Sequence, residues 1–139
     1  MTSGLNFSLS QYKGKKLVLY FYPKDNTSGC TREGQDFAAL YPKFHKLNVE
    51  VLGISRDTIA SHEKFKAKQN FPFELISDED EELCKKFDVI KMKNMYGKKV
   101  RGIERSTFVL DEKGKIRQEW RKVKVEGHAQ AVLDSLAKS

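Results

Sequence analysis

The 139-residue chain carries 26 Lys and Arg against 19 Asp and Glu, a formal charge of +7, and 39% of its residues are hydrophobic. That fits one globular domain with a single sizeable core, and no apolar run is long enough to span a membrane. Its two cysteines, Cys30 and Cys84, are too few for a secreted disulfide scaffold and favour a reducing setting.

The segment Met1 to Ser10 has neither the basic head nor the apolar stretch of a secretion signal, so a cytoplasmic location is expected. Lysine pairs such as Lys15-Lys16, Lys85-Lys86 and Lys98-Lys99 are scattered and read as solvated faces, so no nucleic-acid partner is expected.

Lys16 to Tyr22 is a β-branched and aromatic run and predicts a buried strand. After a polar joint, Phe37, Leu40, Tyr41 and Phe44 recur at helical spacing, with Gly34 the weak point. Val49 to Ser55 predicts a second strand. Asp57 or Thr58 then caps a helix through about Gln69, with Phe65 and Ala67 near its buried side, and Asn70 and Pro72 stop it. Phe73 to Ser77 is a short third strand. Acidic Asp78 to Glu82 favours a helix start for Leu83 to Phe87.

Lys91 to Gly102 reads as a basic loop. Arg105 to Leu110 and Lys115 to Val123 predict two strands joined by a turn at Asp111 to Gly114. His128 to Lys138 closes the chain as a helix burying Ala129, Val132, Leu133 and Leu136. The order β-α-β-α-β-α-β-β-α implies an α/β fold, with a mixed, mainly parallel sheet covered on both faces, in one domain over residues 1–139.

The chemistry concentrates where the first strand meets the first helix. Cys30 falls in the first turn, where unpaired amides and the helix dipole stabilise an anion and so favour the thiolate. Gly29 lets the backbone turn tightly and a small substrate approach. Thr27, three residues earlier, is placed for its hydroxyl to reach the sulfur or an oxygen bound to it. Burial as a small hydrophobe is the alternative for Cys30, but Ser28, Gly29, Thr31 and Arg32 make a polar surround.

Ionisation alone is weak catalysis. A free thiol is already a few per cent ionised at neutral pH, so full ionisation gains only about thirty-fold. The rest must come from donors that hold the substrate in line and stabilise charge on its leaving atom, so a cation aimed at Cys30 is required.

The string Pro23-x-x-x-Thr27-x-x-Cys30, within FYPKDNTSGCTREG, resembles the active-site motif of the peroxiredoxins, in their PrxQ or bacterioferritin comigratory protein branch. The likeness continues through Gly53 to Asp57, Phe87 to Ile90 and Arg105 to Asp111. It implies a thioredoxin-like fold and a thiol peroxidase reducing hydrogen peroxide and organic hydroperoxides in antioxidant defence, without cofactor. It also implies that Cys30 is the peroxidatic cysteine, Thr27 its hydroxyl partner, Pro23 the residue shielding the thiolate and Arg105 the active-site arginine. Glu33 is placed to orient Arg105, or acts only as a favourable first-turn acid. Ser28 departs from the branch, where proline is more usual.

A larger departure concerns the second thiol of the cycle. The branch often carries a resolving cysteine five residues after the first, or on the next helix; those positions are Gln35 and Lys66 here. Only Cys84 remains, and packing in the core is the favoured reading over resolution of Cys30. A one-cysteine cycle follows, its sulfenic acid reduced by an external thiol from glutathione, glutaredoxin or thioredoxin. The resemblance also favours a monomer.

His45, His62 and His128 are read as surface or capping residues, with no metal expected. Other activities fit worse. A cysteine phosphatase needs an arginine at Asp36, and a disulfide exchanger needs a second cysteine at Glu33. A basic binding module is the non-enzymatic alternative.

Overall fold

A computed structural model describes residues 12, 14–95 and 97–137; the N-terminal stretch and Lys138 considered above lie outside them. Helices and strands follow one another as β1 (Lys16–Phe21), α1 (Ser28–Lys46), β2 (Val49–Ser55), α2 (Ile59–Gln69), β3 (Glu74–Ser77) and α3 (Glu82–Lys86). Then come β4 (Ile90–Met95), β5 (Lys98–Ile103), β6 (Ser106–Leu110), β7 (Ile116–Trp120) and α4 (His128–Ala137).

Five strands form one sheet in the order β3-β2-β1-β6-β7. β1 pairs parallel with β2, and β2 parallel with β3. β6 runs antiparallel to both β1 and β7. Four strands therefore share one direction and β6 opposes them, which is the mixed α/β sheet that the element order implies.

The period-two alternation of β1 divides the core. Val18 and Tyr20 join a cluster with Phe37 and Phe44 of α1, Phe65 of α2 and Val132 and Leu136 of α4. Leu17, Leu19 and Phe21 join a second cluster with Cys84, Phe87, Val89 and Ile103. The sheet is covered on both faces, and its two cysteines are sorted onto opposite ones: Cys30 packs in the first cluster and Cys84 in the second.

Local chemistry explains the helix ends. Thr58 caps α2 by accepting a hydrogen bond from the Ser61 amide, and Asn70 closes it in the left-handed conformation at φ 57°. Phe65 faces the core from this helix, whereas Ala67 is exposed and His62 takes the second buried position. Pro42 sits inside α1, which nonetheless continues to Lys46.

The segment read as a basic loop is a two-stranded antiparallel hairpin, β4 with β5. Its lysines hide the pattern, because main-chain pairing rather than apolar alternation builds it. Gly97 supplies the positive φ of 79° at its turn, and Ile103 buries its base. Arg101 pairs with Glu81, which also receives Arg56 at 2.9 Å, fastening the hairpin beside α3.

Candidate active site

The loop after β1 delivers Cys30 to the third position of α1. The antiparallel pairing of β1 with β6 sets Phe21 opposite Ser106. Arg105, just before Ser106, is thereby brought to the sheet end from which Cys30 projects. Arg105 Nη2 donates to Cys30 Sγ at 3.3 Å, and Nη1 donates to Glu33 Oε1 at 2.6 Å. One guanidinium fork thus holds a sulfur and a carboxylate that lie one helical turn apart.

Burial makes this arrangement costly and specific. Glu33 is 1% exposed and Cys30 2% exposed. Desolvation pushes the Glu33 carboxyl up to about 7, against the opposing pull of Arg105. Burial works against the charge on Arg105, but Glu33 and Cys30 more than offset it and hold the proton above the usual value. Among the described residues, Glu33 Oε2 and Tyr20 Oη are buried with no hydrogen-bond partner.

Gly29 is constrained by the same arginine. A Cβ built there would lie 3.2 Å from Arg105 Nη2, so the missing side chain gives the guanidinium its seat. Thr27 stands at the N-cap of α1 without a side-chain capping bond. Its hydroxyl donates to the Lys24 carbonyl at 2.9 Å rather than to the sulfur, which leaves its oxygen lone pairs as acceptors. Pro23 is half-buried in the loop that follows β1.

Cys84 stands apart from this group. It is fully buried, and its amide donates to Asp78 Oδ2 at 2.7 Å as part of the cap of α3. Burial and the Asp78 carboxylate push its thiol well above the ordinary value, so it stays protonated. Gln35 donates to Gln69 at 2.8 Å and Lys66 pairs with Glu74 at 3.4 Å, so neither position carries redox chemistry.

Two histidines depart from the surface reading. His128 is buried beside Thr107, 2.7 Å from its hydroxyl, and desolvation together with Arg105 lowers it to about 4. Its ring also meets that of Trp120 edge-on, with centroids 5.8 Å apart, and Trp120 packs against the first cluster. His62 is completely buried, 2.7 Å from Asp25. Asp25, Asp57 and His62 bring their oxygens and ring nitrogen within 4.8 Å of one another. Each is already engaged in hydrogen bonds. No local pattern signals this contact, because the partners lie 37 positions apart. His45 is exposed, as expected.

A separate concavity of about 380 Å³ lies at the other end of the sheet, lined by Lys16, Leu110, Asp111, Arg117 and Leu136. It is lined by no cysteine, so chemistry rather than volume marks the Cys30 group as the candidate site.

The chain is similar to known proteins along most of its length. Residues 2–119 match the AhpC/TSA family. Peroxiredoxin Bcp of Xanthomonas campestris pv. campestris is 58% identical over 136 residues, which is 98% of this chain and 85% of that protein. Peroxiredoxin Bcp of Bacillus subtilis is 48% identical, over 96% of this chain and 85% of its own. A structure of the Xanthomonas campestris bacterioferritin comigratory protein, studied for its alkyl peroxide reduction activity, superposes with a TM-score of 0.94. It is 57% identical and covers 99% of this chain and 87% of that one. The chain belongs to the AhpC/TSA family, in its peroxiredoxin Q or bacterioferritin comigratory protein branch.

Proposed function

We propose that this thiol peroxidase works through Cys30, in a one-cysteine cycle completed by an external thiol. The observation that carries the assignment is the contact of Arg105 Nη2 with Cys30 Sγ in the first turn of α1.

The thiolate of Cys30 attacks the distal oxygen of a hydroperoxide. The S–O bond forms, the O–O bond breaks, and the sulfur gives up two electrons to become Cys30–SOH. The departing hydroxide or alkoxide takes a proton and leaves as water or alcohol. Sulfur supplies both electrons, so the step calls for no cofactor. Arg105 bridges sulfur and peroxide and stabilises charge on the leaving oxygen. Glu33 positions Arg105 through its 2.6 Å bond. Thr27 accepts the O–H of the bound peroxide on the lone pairs left by its bond to Lys24, and Pro23 shields the sulfur from water.

The one-cysteine reading is supported by the sorting of Cys30 and Cys84 onto opposite faces of the sheet. A disulfide needs Cα atoms within about 7 Å. The reductant belongs to the class of glutathione, glutaredoxin or thioredoxin. Two free thiols favour a reducing, cytoplasmic setting, and no helix among the described residues is long and apolar enough to cross a membrane. The working unit is taken as a monomer.

The test is rapid mixing with limiting hydroperoxide, followed by turnover with each of the three reductants. Wild type consumes one equivalent per chain and Cys30→Ser none. Cys84→Ser keeps its turnover. Loss of turnover in Cys84→Ser, with the first oxidation intact, would refute the one-cysteine cycle.

A further inference from the structure

One face of α1 carries a row of residues of which the peroxide chemistry uses only the first. Gly29, Arg32, Asp36 and Leu40 recur at intervals of three and four, so they share one stripe of the helix. At the head of the row, the Cβ position of Gly29 lies 3.2 Å from Arg105 Nη2 and 4.0 Å from Val125 Cγ2. Nη2 is the nitrogen that meets Cys30 Sγ at 3.3 Å. Further down, Arg32, Asp36 and Leu40 form one wall of a cleft of about 280 Å³, and Gly127 and Gln130 about the start of α4 form the other. Gly29 is three residues from Arg32, and Val125 two from Gly127. The cleft thus begins beside the guanidinium that holds the sulfur.

Its charges are unspent. Arg32 is exposed and Asp36 half-buried, and among the described residues neither is held in an ion pair. They stand one turn apart with the cation N-terminal, the weaker order for pairing along a helix. The positive end of the α4 dipole adds to the attraction for an anion. The complementary ligand carries a carboxylate and an ammonium close together, as the α-amino-acid head of a small peptide does. Arg32 offers a fork to the carboxylate and Asp36 an acceptor to the ammonium.

Length agrees with charge. From Gly29 to Asp36 the helix rises about 10 Å. An extended γ-glutamyl-cysteinyl thiol spans about 9 Å from the α-carbon of its head to its sulfur, at ordinary bond lengths. A protein reductant needs a far broader footprint, roughly 800 Å² a side, so the cleft suits a small thiol.

We infer that the α1–α4 cleft binds the reducing thiol as a small zwitterionic peptide of the glutathione class, Arg32 taking the carboxylate of its head and Asp36 the ammonium. The inference rests on the peroxidatic role of Cys30 given above and selects among the three reductants named there. Anchored by its head, the peptide carries its sulfur toward Gly29 and Arg105. In Cys30–SOH + RSH → Cys30–S–SR + H2O, the S–S bond forms and the S–O bond breaks. The sulfenic sulfur is reduced, the thiol sulfur is oxidised, and the thiol proton leaves with the hydroxyl as water. A second thiol then releases Cys30–SH and RSSR. Arg32 and Asp36 touch the ligand and not the reacting atoms, so they govern which thiol is used.

For the test, Cys30–SOH is formed in the full chain with one equivalent of hydrogen peroxide. It is then mixed with glutathione, or with β-mercaptoethanol, which has no charged head. In wild type the rate with glutathione should saturate, and that with β-mercaptoethanol should stay proportional to concentration. Arg32→Ala and Asp36→Asn should each slow glutathione about threefold to tenfold and leave β-mercaptoethanol unchanged within about twofold. Arg32→Lys should keep most of the rate. Asp36 also raises the Glu33 carboxyl, and taking the ratio of the two thiols removes any such effect on Cys30 itself. An equal fall with both thiols, or no fall, overturns the cleft. So does turnover by thioredoxin without a saturable reaction with glutathione. S-methylglutathione, which has no free thiol, gives a readout without chemistry. It should shift the amide resonances of Arg32, Asp36, Gly127 and Gln130 in the reduced wild-type chain. Shifts absent there overturn the inference even where a variant does not fold. Failure of wild type to consume peroxide would sink the role of Cys30, while S-methylglutathione would still judge the cleft.

Discussion

Arg105 and Cys30 stand 75 positions apart in the chain, yet Arg105 Nη2 lies 3.3 Å from Cys30 Sγ. The antiparallel register of β1 and β6 makes that meeting possible, and the absent side chain of Gly29 gives the guanidinium its room. The contact is directional as well as electrostatic, because one nitrogen serves the sulfur while the other is held by Glu33.

Arg105→Lys therefore keeps the charge and loses the fork. Oxidation of Cys30 by hydrogen peroxide should slow by about tenfold to a hundredfold, since an ammonium cannot serve sulfur, carboxylate and leaving oxygen together. Rapid-mixing kinetics with limiting peroxide check this. Rates equal to wild type would mean that charge alone suffices.

Glu33 gives a pH dependence with a definite sign. Burial raises its carboxyl from 4.5 to about 7. Between those values the folded chain binds more protons than the unfolded chain, so this residue costs stability as pH rises through the window. The contribution is fully present below pH 4.5 and lost above about 7, to the extent of about 3 kcal/mol. Glu33→Gln keeps an oxygen for Arg105 and removes the titration. Urea unfolding at several pH values between 4 and 8 should show a steeper fall in wild type than in the variant. Parallel curves would contradict the assignment.

Gly34 looks from sequence like a weak point in α1, and alanine there looks like an improvement. The structure reverses that expectation. A Cβ at Gly34 would stand 2.4 Å from Cζ of the Phe71 ring. The helix gain of up to about 1 kcal/mol is set against an overpacking cost of about 1–3 kcal/mol. Gly34→Ala should therefore lower Tm, and a rise in Tm would show that Phe71 gives way freely.

Cys84 should matter to stability and not to catalysis. Cys84→Ser places a hydroxyl within the second apolar cluster and should cost about 1–3 kcal/mol in denaturant unfolding, while Cys84→Ala should cost less. Equal stability of the serine variant and wild type would contradict its core role.

Much of this was legible in the sequence, and the failures share a cause. The strand Lys16 to Phe21, the α1 periodicity and the placing of Cys30 in a first turn are local patterns, and the structure reproduces them. Arg105 could be found only through the motif resemblance, because its partner comes from a different strand end. The Asp25–His62 contact is invisible in the sequence, since the two look like any loop acid and helix histidine until α2 docks. The β4–β5 hairpin reads as a loop in the sequence because its main-chain pairing carries little apolar signal among so many lysines. Thr27 is named by the motif as a partner of the sulfur or of an oxygen bound to it, and its bond to the Lys24 carbonyl adds a local detail that the motif does not reveal.

Intact-protein mass spectrometry after one equivalent of hydrogen peroxide, with no thiol added, tests the central claim most directly. The account predicts a species about 16 Da heavier, a sulfenic acid at Cys30 that is absent from Cys30→Ser. A species about 2 Da lighter would instead mean a disulfide with Cys84 and contradict the one-cysteine cycle. An unchanged mass would contradict the role of Cys30 altogether.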